Sequence, residues 1–379
     1  MKSESMRGKN IAGNVALYVV EVIFLVLGIV FYFFSSKLAD NVQRVSLNIQ
    51  EKDMTIYAGE VVGEEDIANG QPADTDLSTQ EPIVTPGEEE GITYRNIALF
   101  GVDSREGQLL AGTRSDTIMI ASINEKTKEI KLISVYRDSF LNVGEDTYNK
   151  ANVAYAKGGP ERAIQMLNEN LDLNISDYVT VGFRGLIDTV ESVDGIEMEI
   201  SEEEIDYLNS YQMMMAQELD LEFTPIEEPG LQLLNGMQAT AYCRIRYTAG
   251  SDFMRTQRQR NVLIAVLEKA KTKSLVDINN AINAVLPSVS TSFSSAEILE
   301  LASSLTLYRV VDNTGMPFQK YRANAFVSNK GSCVIPYDLE ANVTELHRFL
   351  FDVQDYIPSD TVKQYNQEIR RQTEGYLEW

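Results

Sequence analysis

A nearly continuous apolar run from Ile11 to Ser36, ending in VIFLVLGIVFYFFSS, constrains this chain more than any other feature. At roughly 1.5 Å of rise per helical residue, about 20 such residues cross a bilayer's hydrocarbon core. Val15 to Phe34 is therefore long enough to span. A cleaved signal peptide has a shorter apolar region followed by a small-x-small site, whereas Lys37 stands where the only nearby candidate, ending at Ala39, needs a small residue. Lys2, Arg7 and Lys9 precede the run, and positive residues stay on the cytoplasmic side. The expectation is a cytoplasmic tail at 1–10, a single transmembrane helix at 11–36, and everything beyond it outside the cell membrane. Glu21 lies inside this run: either the span proper begins at Val22, or the carboxylate meets a partner helix or is protonated.

After the span, Leu38, Val42, Val45 and Ile49 keep an interrupted helical period in a polar stretch, which predicts a helix leaving the membrane. Gly59 to Gly91 then carries ten Asp and Glu, no Lys or Arg, and Pro72, Pro82 and Pro86. Such a segment repels itself and cannot bury a core, so 37–91 reads as a helical stalk and acidic linker. The chain as a whole is 44% hydrophobic, the content of a globular protein.

From 92 to 355 the pattern alternates. NIALFGVD, TIMIASIN and EIKLISVY read as strands, with a hairpin at KTK between the last two. Gly159 and Pro160 open a helix, ERAIQMLNENL, followed by strand YVTVGF, helix RGLIDTVESV and strand GIEMEI. MQATAYCRIRY reads as a helix start running into a strand, and FMRTQRQRNVLIAVLEKA as a helix capped by Asp252. Ser294 with Glu297 forms a capping box before EILELASSL. This order predicts an α/β protein, an α/β/α sandwich around one mixed sheet. Residues 356–379 are polar and predict an exposed short helix or an unstructured tail.

The formal charge of −23 argues against nucleic acid as a partner, because counterion release needs a basic face. With one histidine and two cysteines, zinc sites of the common kinds cannot be assembled, and a Ser-His-Asp triad would have to use His347, which sits in an amphipathic helical pattern and reads as structural. Cys243 and Cys333 read as buried small apolar residues, with a disulfide open.

Against this acidic background, Arg244, Arg246, Arg255, Arg258 and Arg260 are five of eighteen arginines within seventeen residues, and such a concentration asks for an anion. On a strand, Arg244 and Arg246 share one face. Arg255, Arg258 and Gln259 lie within a turn of each other near a helix start, where guanidinium forks and the helix dipole favour phosphate. Arg260 is expected to pair with surface carboxylates. Asp103 and Asp116, with Arg114, stand at facing strand ends, and Arg137 with Asp138 follows a third. Two such carboxylates can hold Mg²⁺, which completes its shell with water and substrate phosphate.

The strings NIALFGVDSR, TRSDTIMIASIN, ISVYRDSF, NKANVAYAKGGPERAI, LNGMQATAYCRIRY and GSDFMRTQRQRNVL resemble, in order and spacing, the LytR-CpsA-Psr family, whose domain is also labelled a cell envelope-related transcriptional attenuator. The resemblance covers Tyr94 to about Lys273 and continues faintly to about Asp352. Many members have Pro where this chain has Tyr136, and the loop between Asp103 and Asp116 is one residue longer than usual. The resemblance implies a membrane-anchored phosphotransferase that moves a glycopolymer (teichoic acid, capsule or other wall polysaccharide) from a polyprenyl-pyrophosphate carrier to peptidoglycan. It implies Asp103 and Asp116 as metal-associated carboxylates for Mg²⁺ or Mn²⁺, and Arg114, Arg137, Arg244, Arg246, Arg255 and Gln259 as the pyrophosphate set. Asp252 is a further acidic position, and Asp103, Asp116 and Arg137 carry the catalytic roles. The prenyl chain then calls for an apolar cavity, with Leu186 to Val193 and Val262 to Val266 either lining it or forming plain core. A polyprenyl-phosphate-binding membrane protein, or a pyrophosphatase acting in envelope regulation, is the alternative.

Overall fold

The computed structural model describes residues 43–44, 93–103, 109–246 and 251–377. The expected membrane helix and acidic linker lie outside these residues, as does Glu21. Among the described residues no helix is long and apolar enough to cross a membrane. Gln43–Arg44, within the stretch expected to be helical, is instead a short strand, β1.

The strands that follow are β2 (Tyr94–Val102), β3 (Ser115–Asn124), β4 (Glu129–Val135), β5 (Phe140–Asn142) and β6 (Tyr148–Lys150). Helix α1 (Asn152–Leu171) leads to β7 (Asp177–Val181), α2 (Phe183–Ser192), β8 (Ile196–Ile200), α3 (Glu202–Leu219), β9 (Gly230–Leu234) and α4 (Gly236–Tyr242). Then come α5 (Ser251–Ala270), α6 (Leu275–Val285), β10 (Val289–Thr291), α7 (Ser295–Ser303) and β11 (Arg309–Met316). The chain closes with β12 (Ala323–Val327), β13 (Gly331–Ile335), α8 (Leu339–Phe351) and α9 (Asp360–Thr373). Seven strands make one mixed sheet in the order β1-β10-β7-β2-β3-β4-β11. The pairs β1/β10, β2/β7 and β4/β11 are parallel, and the others antiparallel.

The central strands read as unbroken apolar runs because both faces are covered. Ala98, Phe100, Ile118, Ile120 and Ile133 point to one core with Ile164 and Leu167 of α1 and Leu346 of α8. Ile97, Met119, Ile123 and Leu132 point to the other, against Leu263, Ile264 and Leu267 of α5. A third apolar cluster lies among α2, α3, α4, β8 and β9. It takes Ile187, Val190 and Val193, together with Val262 of α5, as buried positions. The hairpin at KTK forms because the Asn124 side chain accepts from the backbone N–H groups of Lys126 and Thr127, both at 3.0 Å. The Ser294–Glu297 capping box is present.

Three expectations need correction. Helix α1 starts eight residues before Pro160 and breaks at Gly158 and Gly159, the latter at φ 64°, where a Cβ would meet the Ala111 backbone nitrogen at 3.2 Å. Pro160 thus restarts a helix rather than opening the first one. Cys243 to Arg246 is not a strand: its amides bond back in helical and turn fashion, and β9 pairs with β8 instead. The tail is neither exposed nor unstructured, because Val362 and Ile369 of α9 are fully buried in the first core. The folded unit therefore runs past 355 to α9. Ile369→Ala is expected to cost roughly 2–5 kcal/mol, read by urea denaturation.

Cys243 and Cys333 are both free and belong to different cores. His347 is structural: its ring stacks on Tyr356 at 3.5 Å, its Nε2 is 3.1 Å from the Leu171 carbonyl oxygen, and burial pushes its pKa down to about 4. Between that value and the ordinary 6.5, the unfolded chain takes up a proton that the folded chain refuses, so stability falls as pH drops through this window. A shift of this size corresponds to about 3 kcal/mol. His347→Phe should reduce the loss of stability between about pH 6.5 and 5, where the chain's one histidine titrates in the unfolded state and the carboxylates contribute little.

Candidate anion-binding site

Strands β2, β3 and β4 end, or begin, beside the start of α5, and that convergence builds the site. At the end of β2, Gly101 faces Thr117, and a Cβ there would lie 2.8 Å from the threonine hydroxyl, so only glycine lets the strands close. A register shift follows: Gly101 pairs with Thr117 and Val102 with Ser115, which leaves Asp116 as the bulged residue. Asp103 is exposed at the end of β2, and its carbonyl accepts from the Thr113 hydroxyl at 3.2 Å.

Asp116 is the hub. Its Oδ1 accepts from Arg137 Nη1 at 2.5 Å, its Oδ2 lies 3.5 Å from Arg246 Nη2, and its backbone oxygen accepts from Arg255 Nη2 at 3.3 Å. Arg255 also pairs with Asp252 at 3.0 Å. Asp252 thus sits inside the first turn of α5 and holds an arginine, in place of the capping role expected for it. Arg137 is braced by Asp138 at 3.7 Å, which itself pairs with Lys150 at 3.1 Å.

The arginines of 244–260 divide by role. Arg258 donates to Glu204 at 2.7 Å and to the Ile245 carbonyl, and Gln259 donates to the Cys243 carbonyl at 3.5 Å. These bonds from α5 take up the carbonyls of the 243–246 turn, so it needs no strand partner. Cys243 and Ile245 still go inward and Arg244 and Arg246 outward, so the expected shared face survives without the strand. Arg260 does not pair with surface carboxylates: it is buried and donates to Ser134, Asn313 and Gln257, and burial lowers its pKa. Arg114 is exposed and makes no ion pair among the described residues.

The electrostatics are lopsided. Arg255 is 2% exposed, and burial, together with Arg137 and Arg246 nearby, brings its pKa down to about 10 against the pull of Asp252 and Asp116. It stays a cation at neutral pH at a desolvation cost. Burial also works against the Arg137 charge, but Asp116, Asp138 and Asp252 more than offset it and its pKa stands above the ordinary value. Arg137 Nε, Arg244 Nη1, and Arg255 Nε and Nη1 are buried without a hydrogen-bond partner among the described residues, as is Gln259 Oε1. Buried donors on cations are strongly disfavoured unless an acceptor completes them.

Sequence reasoning missed the groups that shape these cations. The Arg244 guanidinium lies 4.5 Å from the Phe183 ring and 5.4 Å from the Tyr211 ring, and Glu204 holds Arg258. Nothing in the local pattern marked them, since each comes from a different element and contacts the site only through the fold. A divalent cation would draw on Asp103 and Asp116 at neighbouring strand ends, the latter shared with Arg137 and Arg246; no group of three potential metal-ligating acidic, His or Cys side chains occurs among the described residues. Mg²⁺ fits such a sparse set, because it keeps waters and takes phosphate oxygens.

A mixed sheet covered by helices, with guanidiniums converging at its strand ends, defines an α/β fold carrying a candidate anion site. The chain belongs to the LytR_cpsA_psr family, whose model matches residues 60–336. It is 29% identical over 183 residues to the polyisoprenyl-teichoic acid–peptidoglycan teichoic acid transferase TagT of Bacillus subtilis, covering 48% of this chain and 54% of that one. It is 32% identical over 232 residues to the transferase TagU of Halalkalibacterium halodurans, covering 60% and 67%. The match spans about half the length of the first of these relatives. Among solved structures, one described as a transcriptional regulator from Enterococcus faecalis aligns with a TM-score of 0.55 at 25% identity, over 75% of this chain and 95% of that one. The crystal structure of B. subtilis TagT aligns with a TM-score of 0.51 at 22% identity, over 70% and 93%.

Proposed function

We propose that this chain is a membrane-anchored phosphotransferase that moves a glycopolymer from a polyprenyl-pyrophosphate carrier to peptidoglycan and releases polyprenyl phosphate. The observation that carries this reading is the set of buried guanidinium nitrogens without a hydrogen bond on Arg137 and Arg255, both bonded to Asp116, and on Arg244, which sits against Phe183 and Tyr211. They present several donors to one multivalent anion, and a pyrophosphate offers many acceptor oxygens. The relatives' transferase names supply the chemistry of the lipid and the wall, and the apolar 11–36 run supplies the anchor.

In this reading Arg137, Arg244, Arg246 and Arg255 grip the pyrophosphate, with Gln259 beside them and Arg114 at the exposed rim. An acceptor hydroxyl attacks the sugar-side phosphorus, and the bond from phosphorus to the bridging oxygen breaks. Negative charge grows on that oxygen, and arginines fixed in a desolvated pocket stabilise it without reorganising. Asp103 or Asp116 takes the hydroxyl proton. Asp103 and Asp116 would hold Mg²⁺, which when bound supplies further positive charge for the phosphate oxygens. Asp252 keeps Arg255 aimed at the site.

The test uses the full chain in detergent with a polyprenyl-pyrophosphate-linked glycan and peptidoglycan oligomers, with Mg²⁺ or with EDTA. Acceptor-dependent transfer with release of polyprenyl phosphate is expected. Hydrolysis indifferent to acceptor, or tight lipid binding without turnover, would replace transferase by the pyrophosphatase or lipid-carrier alternative.

A further inference from the structure

We infer that Arg322 is a positioning residue for this site, acting through a cation clamp on Tyr136 and Phe253. This rests on the pyrophosphate reading and names a residue far along the chain from the rest of the site. Arg322 follows a short turn between β11 and β12, and its guanidinium carbon lies 3.7 Å from the centroid of the Phe253 ring and 4.9 Å from that of Tyr136. Its Nη1 donates to the Tyr136 hydroxyl and to the Pro317 carbonyl, both at 3.0 Å. The two rings meet edge to face, centroids 4.6 Å apart at 69°. Arg322 makes no ion pair among the described residues, so its charge is spent on the ring faces rather than on a carboxylate.

The clamped residues are neighbours of the site's principal groups. Tyr136 immediately precedes Arg137 at the end of β4, and Phe253 follows Asp252 and stands two residues before Arg255 in the first turn of α5. The seat for Tyr136 is built: its amide donates to the Met316 carbonyl at 2.9 Å, and a Cβ on residue 315 would lie 2.5 Å from its hydroxyl oxygen, so Gly315 makes the space. A side-chain bond from α5 to β4, Arg260 to Ser134 at 2.8 Å, lies further along the helix. Beside the bonds that Arg137 and Arg255 share with Asp116, the Arg322 stack joins the strand end carrying Arg137 to the helix start carrying Arg255. Loosening it lets the guanidiniums drift apart, and small misplacements at a preorganised site have large effects.

The experiment is isothermal titration of the full chain in detergent with geranylgeranyl pyrophosphate as the probe. Arg322→Ala is expected to weaken binding roughly tenfold, about the effect of one stacked or charge-assisted contact. Arg322→Lys keeps the charge but not the planar fork, and should recover less than half of that loss on a logarithmic scale. Tyr136→Phe removes only the accepting hydroxyl and should weaken binding about threefold. The double variant should match Arg322→Ala alone, because the hydroxyl acts through the arginine. A merely structural role would lower the melting temperature and leave probe affinity below it unchanged. Wild-type affinity in Arg322→Ala overturns the inference, and so does wild-type affinity in Tyr136→Phe should the arginine variant fail to fold. An Arg137→Ala arm separates the two readings: if it alone weakens, pyrophosphate binding stands without the clamp, and if neither weakens, both fall.

Discussion

Arg137→Ala is expected to lower the rate of glycopolymer transfer roughly 10²–10³-fold, the size seen when a preorganised donor to developing negative charge is removed. Arg137 makes the shortest contact to Asp116, its Nε is buried and unpartnered, and three carboxylates keep it charged in a desolvated place. Arg137→Lys should recover at most about tenfold, because an ammonium cannot reproduce the planar fork. Steady-state transfer kinetics measure both. A variant still fully folded at the assay temperature in a thermal melt would confirm that the loss is in the site and not in the fold, since removing Arg137 leaves Asp116 paired with Arg246.

Asp116→Asn should produce a different signature. Asp116 stands among Arg137, Arg246 and Arg255, and neutralising it leaves these guanidiniums facing one another. Breaking a fully buried pair costs roughly 3–5 kcal/mol, and about half of that is expected here because the Arg137 and Asp116 side chains are 20% and 30% exposed. Turnover should fall at least 10²-fold as the arginines lose their common anchor. An added anion then takes over the missing negative charge, so inorganic pyrophosphate should raise the melting temperature of Asp116→Asn by more than it raises that of wild type. A smaller rise in the variant would mean that the arginines do not share one anion.

Much of this was legible in the residues, for identifiable reasons. Strands β2, β3 and β4 announce themselves because both of their faces are buried, and the Asn124 turn and the Ser294 cap are local chemistry written in consecutive residues. The arginine cluster was visible because seventeen residues of an acidic chain held five guanidiniums. The misreadings share a cause: tertiary partners outweighed local pattern. Cys243 to Arg246 looks like a strand, but Arg258 and Gln259 on α5 take its carbonyls. Helix α9 looks too polar to pack, yet Val362 and Ile369 on one face suffice to bury it. Arg260 looks like a surface residue and is instead satisfied by neutral oxygens under α5. The rings beside Arg244 and the clamp at Arg322 had no sequence signal, because each joins segments far apart in the chain.

Native mass spectrometry of the full chain purified in detergent from bacterial cells reads out whether the guanidiniums of Arg137, Arg244, Arg246 and Arg255 bind the pyrophosphate of a polyprenyl carrier. A polyprenyl phosphate or pyrophosphate is expected to be retained on the wild-type protein and lost from both Arg137→Ala and Arg244→Ala. Lipid retained equally in all three, or absent from the wild type, would contradict that binding.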